Sequence, residues 1–90
     1  AVVQSHPAVA DAAVIPSPDI EAGEVPKAFV VVKPEMSVSA DEIMSHVAER
    51  VAPHKKVRRV EFINEIPKVS SGKILRRELV ERERAATGNS

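Results

Sequence analysis

Ninety residues carrying thirteen basic and thirteen acidic side chains make one small domain with no formal net charge. The two aromatic residues, Phe29 and Phe62, leave the core to Val, Ile, Leu and Ala and give no platform for stacking the bases of a single-stranded nucleic acid. Cysteine is absent, which excludes disulfides, a thiolate nucleophile and zinc–thiolate sites, and no apolar run approaches the ~18 residues that read as a membrane-spanning helix.

In chain order, Ala1-Val2-Val3-Gln4 reads as the tail of a helix, so a longer parent chain is expected. His6-Pro7 breaks that helix, because proline disfavours helical geometry at the residue before it. Val9 to Ile15, rich in small and β-branched residues, predicts a strand closed by Pro16 and Pro18. A loop with an acidic stretch from Asp19 to Glu24 comes next; its spacing does not fit an EF-hand, since Gly23 stands where a ligand is needed. Ala28 to Val32 is an almost continuous apolar run and predicts a strand buried on both faces, paired antiparallel with the first and ended by Pro34.

Ser39 and Glu42 have the spacing of a capping box, with Val38 and Ile43 placed for a hydrophobic staple. Ile43, Met44, Val47, Ala48 and Val51 then form an apolar stripe at helical spacing, halted by Pro53. His6, His46 and His54 share no metal-ligand spacing, and no metal site is expected. The basic run His54 to Arg59 leads into a third strand around Val57, Val60 and Phe62-Ile63. It suits either phosphate binding or a charged, aggregation-resistant sheet edge. Ile74 to Arg84 predicts a last helix with Leu75 and Leu79 inward and its Arg and Glu residues outward, Glu78 and Arg82 pairing at i, i+4. Residues 85–90 are expected to form a flexible tail. The order strand, strand, helix, strand, helix predicts an α+β fold: a small three-stranded, mainly antiparallel sheet with helices packed on it.

Charge is unevenly spread. Residues 1–50 hold three basic and eight acidic side chains, a net −5; residues 51–90 hold ten and five, a net +5. The second half is therefore the side expected to meet an anion. Within it, Ser70-Ser71-Gly72 forms a small, flexible turn, and Lys73 comes after it at what reads as a loop-to-helix junction. A lysine so placed can reach an anionic ligand while its backbone stays anchored, with support from a helix start. An ordinary solvated lysine is the alternative. The site is not a P-loop, because Pro67 stands where the first glycine is required and Ile74 where a metal-binding hydroxyl is required.

Pro67-Lys68-x-x-x-Gly72-Lys73-x-x-Arg76 resembles the closing motif of the acyl-adenylate-forming enzymes, among them acyl-CoA synthetases, 4-coumarate–CoA ligases and nonribosomal peptide adenylation domains. His6-Pro7-Ala8-Val9 with Ala12-Ala13-Val14 resembles the family's entry strand, and Pro18-Asp19 through Gly23-Glu24-Val25-Pro26-Lys27-Ala28-Phe29-Val30 resembles its hairpin. The wording is most similar to the 4-coumarate and medium- or long-chain acyl-CoA ligase branch, and the resemblance covers about residues 1–82.

The resemblance implies that residues 1–84 are a mobile C-terminal lid. The hinge, the ATP loop and the acid pocket would lie in an N-terminal adenylation domain, which is this chain's expected partner. It implies a cytoplasmic ligase that joins a carboxylic acid to CoA at the expense of ATP, with Mg2+. The lid alone would be inactive and would bind none of these cofactors by itself. Lys73 would bridge the acid's carboxylate and the α-phosphate; Pro67, Gly72 and Arg76 would support the motif. Lys55 and Lys56 are candidates for phosphate contacts on CoA or nucleotide. In acetyl- and propionyl-CoA-type relatives the same lysine is reversibly acetylated, which implies a protein lysine acetyltransferase as a further partner. The alternatives are the lid of a carrier-protein-loading adenylation domain, a non-catalytic basic α+β module that binds nucleic acid, and a stand-alone regulatory or dimerisation fragment.

Overall fold

The computed structural model describes residues 2–86. It contains a 3-10 turn (Val3–Ser5), strands β1 (Val9–Asp19) and β2 (Gly23–Val32), helix α1 (Ala40–Ala48), a second 3-10 turn (Pro53–Lys55), strand β3 (Arg59–Phe62) and helix α2 (Arg76–Ala86). The strands lie in the order β1-β2-β3. The long pair, β1 with β2, is antiparallel as expected, but β2 and β3 run parallel, so the sheet is mixed. Here α1 supplies the crossover that parallel neighbours require.

The central strand β2 explains its own composition. Ala28, Phe29 and Val30 have no exposed surface at all, because side chains alternate between two covered faces. On one face Ala28 and Val30 join Val9, Ala12, Ile43 and Val47 under α1. On the other, Phe29 joins Ala13, Ile15, Ile66 and Leu79 under α2. The domain is thus three layers, helix on sheet on helix.

Three expectations need correction. First, β1 does not stop at Pro16 but continues to Asp19. The Pro26 carbonyl accepts from Arg58 on the β3 side, so its partner Pro16 turns its nitrogen outward, and Pro18 stands two residues further on. An edge strand has no use for those N–H groups, and proline is tolerated there. Second, the long loop expected over residues 16–27 shrinks to Ile20, Glu21 and Ala22, between the paired Asp19 and Gly23. The Asp19 carboxylate accepts from the Glu21 and Ala22 N–H groups at 3.2 and 2.9 Å, and Gly23 takes φ +82°. Third, α2 begins at Arg76 rather than Ile74 and runs to Ala86, two residues into the expected tail; residues 87–90 lie outside the described residues.

Helix α1 forms as expected. The Glu42 N–H donates to Ser39 Oγ at 3.1 Å, and the Ser39 N–H reaches the Glu42 carboxylate at 3.4 Å, which completes the capping box. Strand β1 carries one irregularity. Val9 pairs with Val32 but Asp11 with Val31, so Ala10 is an extra residue in β1. A bulge shifts the side-chain alternation by one. Val9 therefore packs under α1, while the odd-numbered residues Ala13 and Ile15 pack under α2.

Candidate functional site

The stretch from Pro67 to Leu75 folds as a miniature hairpin. The Val69 N–H donates to the Lys73 carbonyl (2.9 Å), the Gly72 N–H to Val69 (2.8 Å) and the Leu75 N–H to Pro67 (2.9 Å). Lys68 and Ile74 face each other as an antiparallel pair. Ser70, Ser71 and Gly72 form the tip. Gly72 adopts φ +90°, the left-handed position that closes a hairpin loop of this length and that disfavours any residue with a Cβ.

Paired residues share a face and their neighbours take the other. Ile74 packs on the core under α2, with Lys68 on the same side. Val69 and Lys73 are turned outward, and both are exposed. Among the described residues no carboxylate pairs with Lys73. The site is therefore a free ammonium group on a hydrogen-bonded support, in company with exposed Arg76 and Arg77. The expected contribution from a helix start is absent. The Val69, Gly72 and Leu75 N–H groups are spent inside the hairpin, and the helix begins three residues after Lys73.

Two contacts hold the hairpin on β1. Lys68 Nζ pairs with Asp11 Oδ2 at 2.6 Å. Arg76 Nε makes a long hydrogen bond, 3.4 Å, to the Val14 carbonyl. The Asp11 carboxylate is itself oriented, since Oδ1 accepts from Gln4 Nε2 (3.0 Å) and from the Ala12 N–H (2.9 Å). Burial pushes the Asp11 carboxyl upward, but Lys68 and these donors outweigh it and hold it below its ordinary range.

Of the predicted site residues, Pro67, Gly72, Lys73 and Arg76 are brought together. Lys55 and Lys56 are not. They precede β3, the edge strand opposite β1. Arg58 bonds to Pro26, at the end of β2 far from Val31, the partner of Asp11.

A second polar centre lies under the far end of α2. Glu83, expected on the outward face of this helix, is instead 3% exposed, with Oε1 accepting from Lys27 Nζ and Oε2 from Ser17 Oγ, each at 2.5 Å. Lys27 also pairs with Glu61 at 2.8 Å and sits over the Phe29 ring at 4.9 Å. Arg59 donates to Ser17 Oγ and the Pro18 carbonyl and pairs with Asp19 at 3.0 Å. Arg82 reaches Glu61 at 3.2 Å rather than the expected Glu78. Burial would raise Glu83, yet the Lys27 and Ser17 hydrogen bonds hold it below its ordinary value; burial would lower Lys27, yet Glu61 and Glu83 hold it above. Lys68–Asp11 and Arg59–Asp19 pair the basic half of the chain with the acidic half, which consumes part of the charge asymmetry.

His6 and His46 are closer in space than in sequence. The His6 and His46 rings meet edge to face at 5.0 Å, and His46 Nε2 lies 2.7 Å from Ser5 Oγ. Among the described residues no cluster of three or more His, Cys, Asp or Glu could hold a metal ion.

A family model described as AMP-binding enzyme C-terminal domain matches residues 1–73, which takes in Pro67, Gly72 and Lys73. The chain belongs to this family. A protein named 4-coumarate--CoA ligase-like 5, from Oryza sativa subsp. japonica, is 59% identical to this C-terminal domain over 80 residues, 89% of the chain and 15% of its own length. Peroxisomal OPC-8:0-CoA ligase 1 from Arabidopsis thaliana is 50% identical over 90 residues, all of the chain and 16% of its own length. Among solved structures, the acyl-CoA synthetase of Brucella canis superposes with a TM-score of 0.88 at 36% identity, over 96% of this chain and 16% of that one. The C-terminal domain thus spans about one-sixth of each of these proteins.

Sequence reasoning missed Asp11 and Glu83. Asp11 carried a faint signal, a lone carboxylate inside the apolar run from Val9 to Ile15. Glu83 carried a clearer one, since it stands four residues after Leu79 on the inward stripe of α2.

Proposed function

We propose that this domain is the lid of a longer ATP-dependent, AMP-forming carboxylic acid–CoA ligase, and that Lys73 is its adenylation lysine. The observation that carries the reading is an exposed, unpaired lysine on an anchored hairpin, in a domain of this family. An N-terminal adenylation domain supplies the acid pocket, the ATP site and the Mg2+ that accompanies ATP. In the first step a carboxylate oxygen of the acid attacks the α-phosphorus, and the bond to the β-phosphate breaks with release of pyrophosphate. Both reactants are anionic. The Lys73 ammonium between them lowers their repulsion and stabilises the charge of the transition state. In the second step the lid turns, Lys73 withdraws, and the CoA thiolate attacks the acyl carbon with departure of AMP. Lys55 and Lys56, on the opposite sheet edge, are our candidates for contact with CoA or nucleotide phosphates in that second orientation. Exposure also leaves Lys73 open to an acetyltransferase, and acetylation would remove its charge. The acceptor is CoA; loading of a carrier protein is the alternative. For location we propose the cytoplasm, with the peroxisome as the alternative offered by the Arabidopsis relative's name; microscopy of a tagged full-length ligase separates them.

The test compares wild-type ligase with Lys73→Ala in two half-reactions. Pyrophosphate release from acid and ATP should fall about 100-fold or more. Thioester formation from pre-made acyl-AMP and CoA should be unchanged. Equal activity of the two proteins in the first assay would overturn the reading.

A further inference from the structure

We infer that Asp11 is a positioning residue for Lys73, acting through Lys68. The inference rests on the adenylation reading of Lys73, but the geometry that supports it does not. Four observations converge. The bulge at Ala10 moves Asp11 off the face that Val9 occupies and onto the face under α2, beside the hairpin. There its Oδ1 is fixed by Gln4 and by the Ala12 N–H, which leaves Oδ2 aimed at Lys68, 2.6 Å away. Lys68 pairs with Ile74, the residue next to Lys73, so its tether restrains both arms of the hairpin at once. Finally, Arg76 holds the far arm to the Val14 carbonyl on the same strand. The hairpin is thereby fixed along β1 at two places, with Lys73 directed away from the domain. A flexible lysine side chain gains catalytic value when its backbone is held, because misplacement of a charge-stabilising group lowers the rate without abolishing binding.

The test has two arms. The first reads the hairpin directly, by amide hydrogen exchange in the 90-residue chain. Asp11→Asn keeps an oxygen for Gln4 and the Ala12 N–H but removes the charge that holds Lys68. Exchange at Val69, Gly72 and Leu75 should speed up roughly fivefold, the upper end for a partly exposed ion pair, while Phe29 and Val30 in the sheet keep their protection. Asp11→Glu should restore most of the protection. The second arm reads catalysis in the full-length ligase. Asp11→Asn and Lys68→Gln should each lower kcat for adenylation about fivefold with KM for acid and ATP unchanged. The double variant should be no slower than either single one, and thioester formation from acyl-AMP should be unaffected. Unaltered exchange at the hairpin, or additive losses in the double variant, would overturn the inference. If Lys73→Ala leaves adenylation intact, the functional reading fails, and the exchange arm alone decides whether Asp11 fixes the hairpin.

Discussion

Removing the Glu83 carboxylate tests the buried polar centre. In Glu83→Ala the Ser17 hydroxyl, fully buried, loses its acceptor, and Lys27 keeps only Glu61. Breaking a buried ion pair costs about 3–5 kcal/mol; because Glu61 still neutralises Lys27, the lower end applies, about 3 kcal/mol. A domain of this size has roughly 5–13 kcal/mol of stability in total, so the variant should remain folded but lose about 12–24 °C in Tm. Trp and Tyr are absent, so the assay is urea and thermal unfolding followed by circular dichroism. The companion variant Lys27→Met with Glu83→Leu replaces the pair by apolar groups and should recover most of the loss. The pH dependence is part of the same prediction. The fold holds Glu83 below its ordinary 4.5, so its contribution is present above pH 4.5 and fades as pH falls through the folded value. The gap between wild type and Glu83→Gln should therefore narrow in acid. A loss under about 1 kcal/mol for Glu83→Ala, or a double variant as unstable as the sum of its single variants, would refute the assignment of Glu83 as the buried centre of this network.

Two smaller perturbations address single turns. Gly72→Ala places a Cβ in open space but at φ +90°, so its cost is conformational, about 1 kcal/mol. It should loosen the hairpin, lower the Tm of the domain by about 4–8 °C and slow adenylation in the full-length ligase, as differential scanning calorimetry beside the pyrophosphate assay would show. Ser39→Ala removes the N-cap of α1 and should cost about 1 kcal/mol, visible in urea unfolding, with faster amide exchange at Glu42 and no change at the hairpin.

What could be read from the chain, and what could not, divides along local and non-local causes. Helix α1 announced itself because the capping box and the apolar stripe are local signals. The core of β2 did so because burial on both faces demands an unbroken apolar run. The extension of β1 through Pro16 and Pro18 was hidden, since proline is harmless only on an edge and the sheet order decides which strand that is. The parallel pairing of β3 was hidden for the same reason. The motif singled out Lys73 as a candidate, but its local setting was misjudged. Ile74 and Leu75 have helix-compatible side chains, yet their positions are claimed by Lys68 and by the Pro67 carbonyl across the hairpin. Glu83 and Arg82 were misdirected because a charge is ordinarily solvated, and only the tertiary fold reveals Lys27, Ser17 and Glu61 as partners.

The polar centre under α2 also sets an order of events during synthesis. Ser17 and Lys27 belong to the first hairpin of this domain, and they wait for Glu83, which lies 66 and 56 residues further along the chain. The β1–β2 hairpin can form early from contacts close in sequence, but its face under α2 then presents the Lys27 ammonium group beside Phe29 with Glu61 still 34 residues away and Glu83 56. A ribosome delivering about 5–20 residues per second leaves that face open for several seconds. The last helix therefore acts as a late closure, and the nascent domain should stay open to chaperones until α2 has emerged.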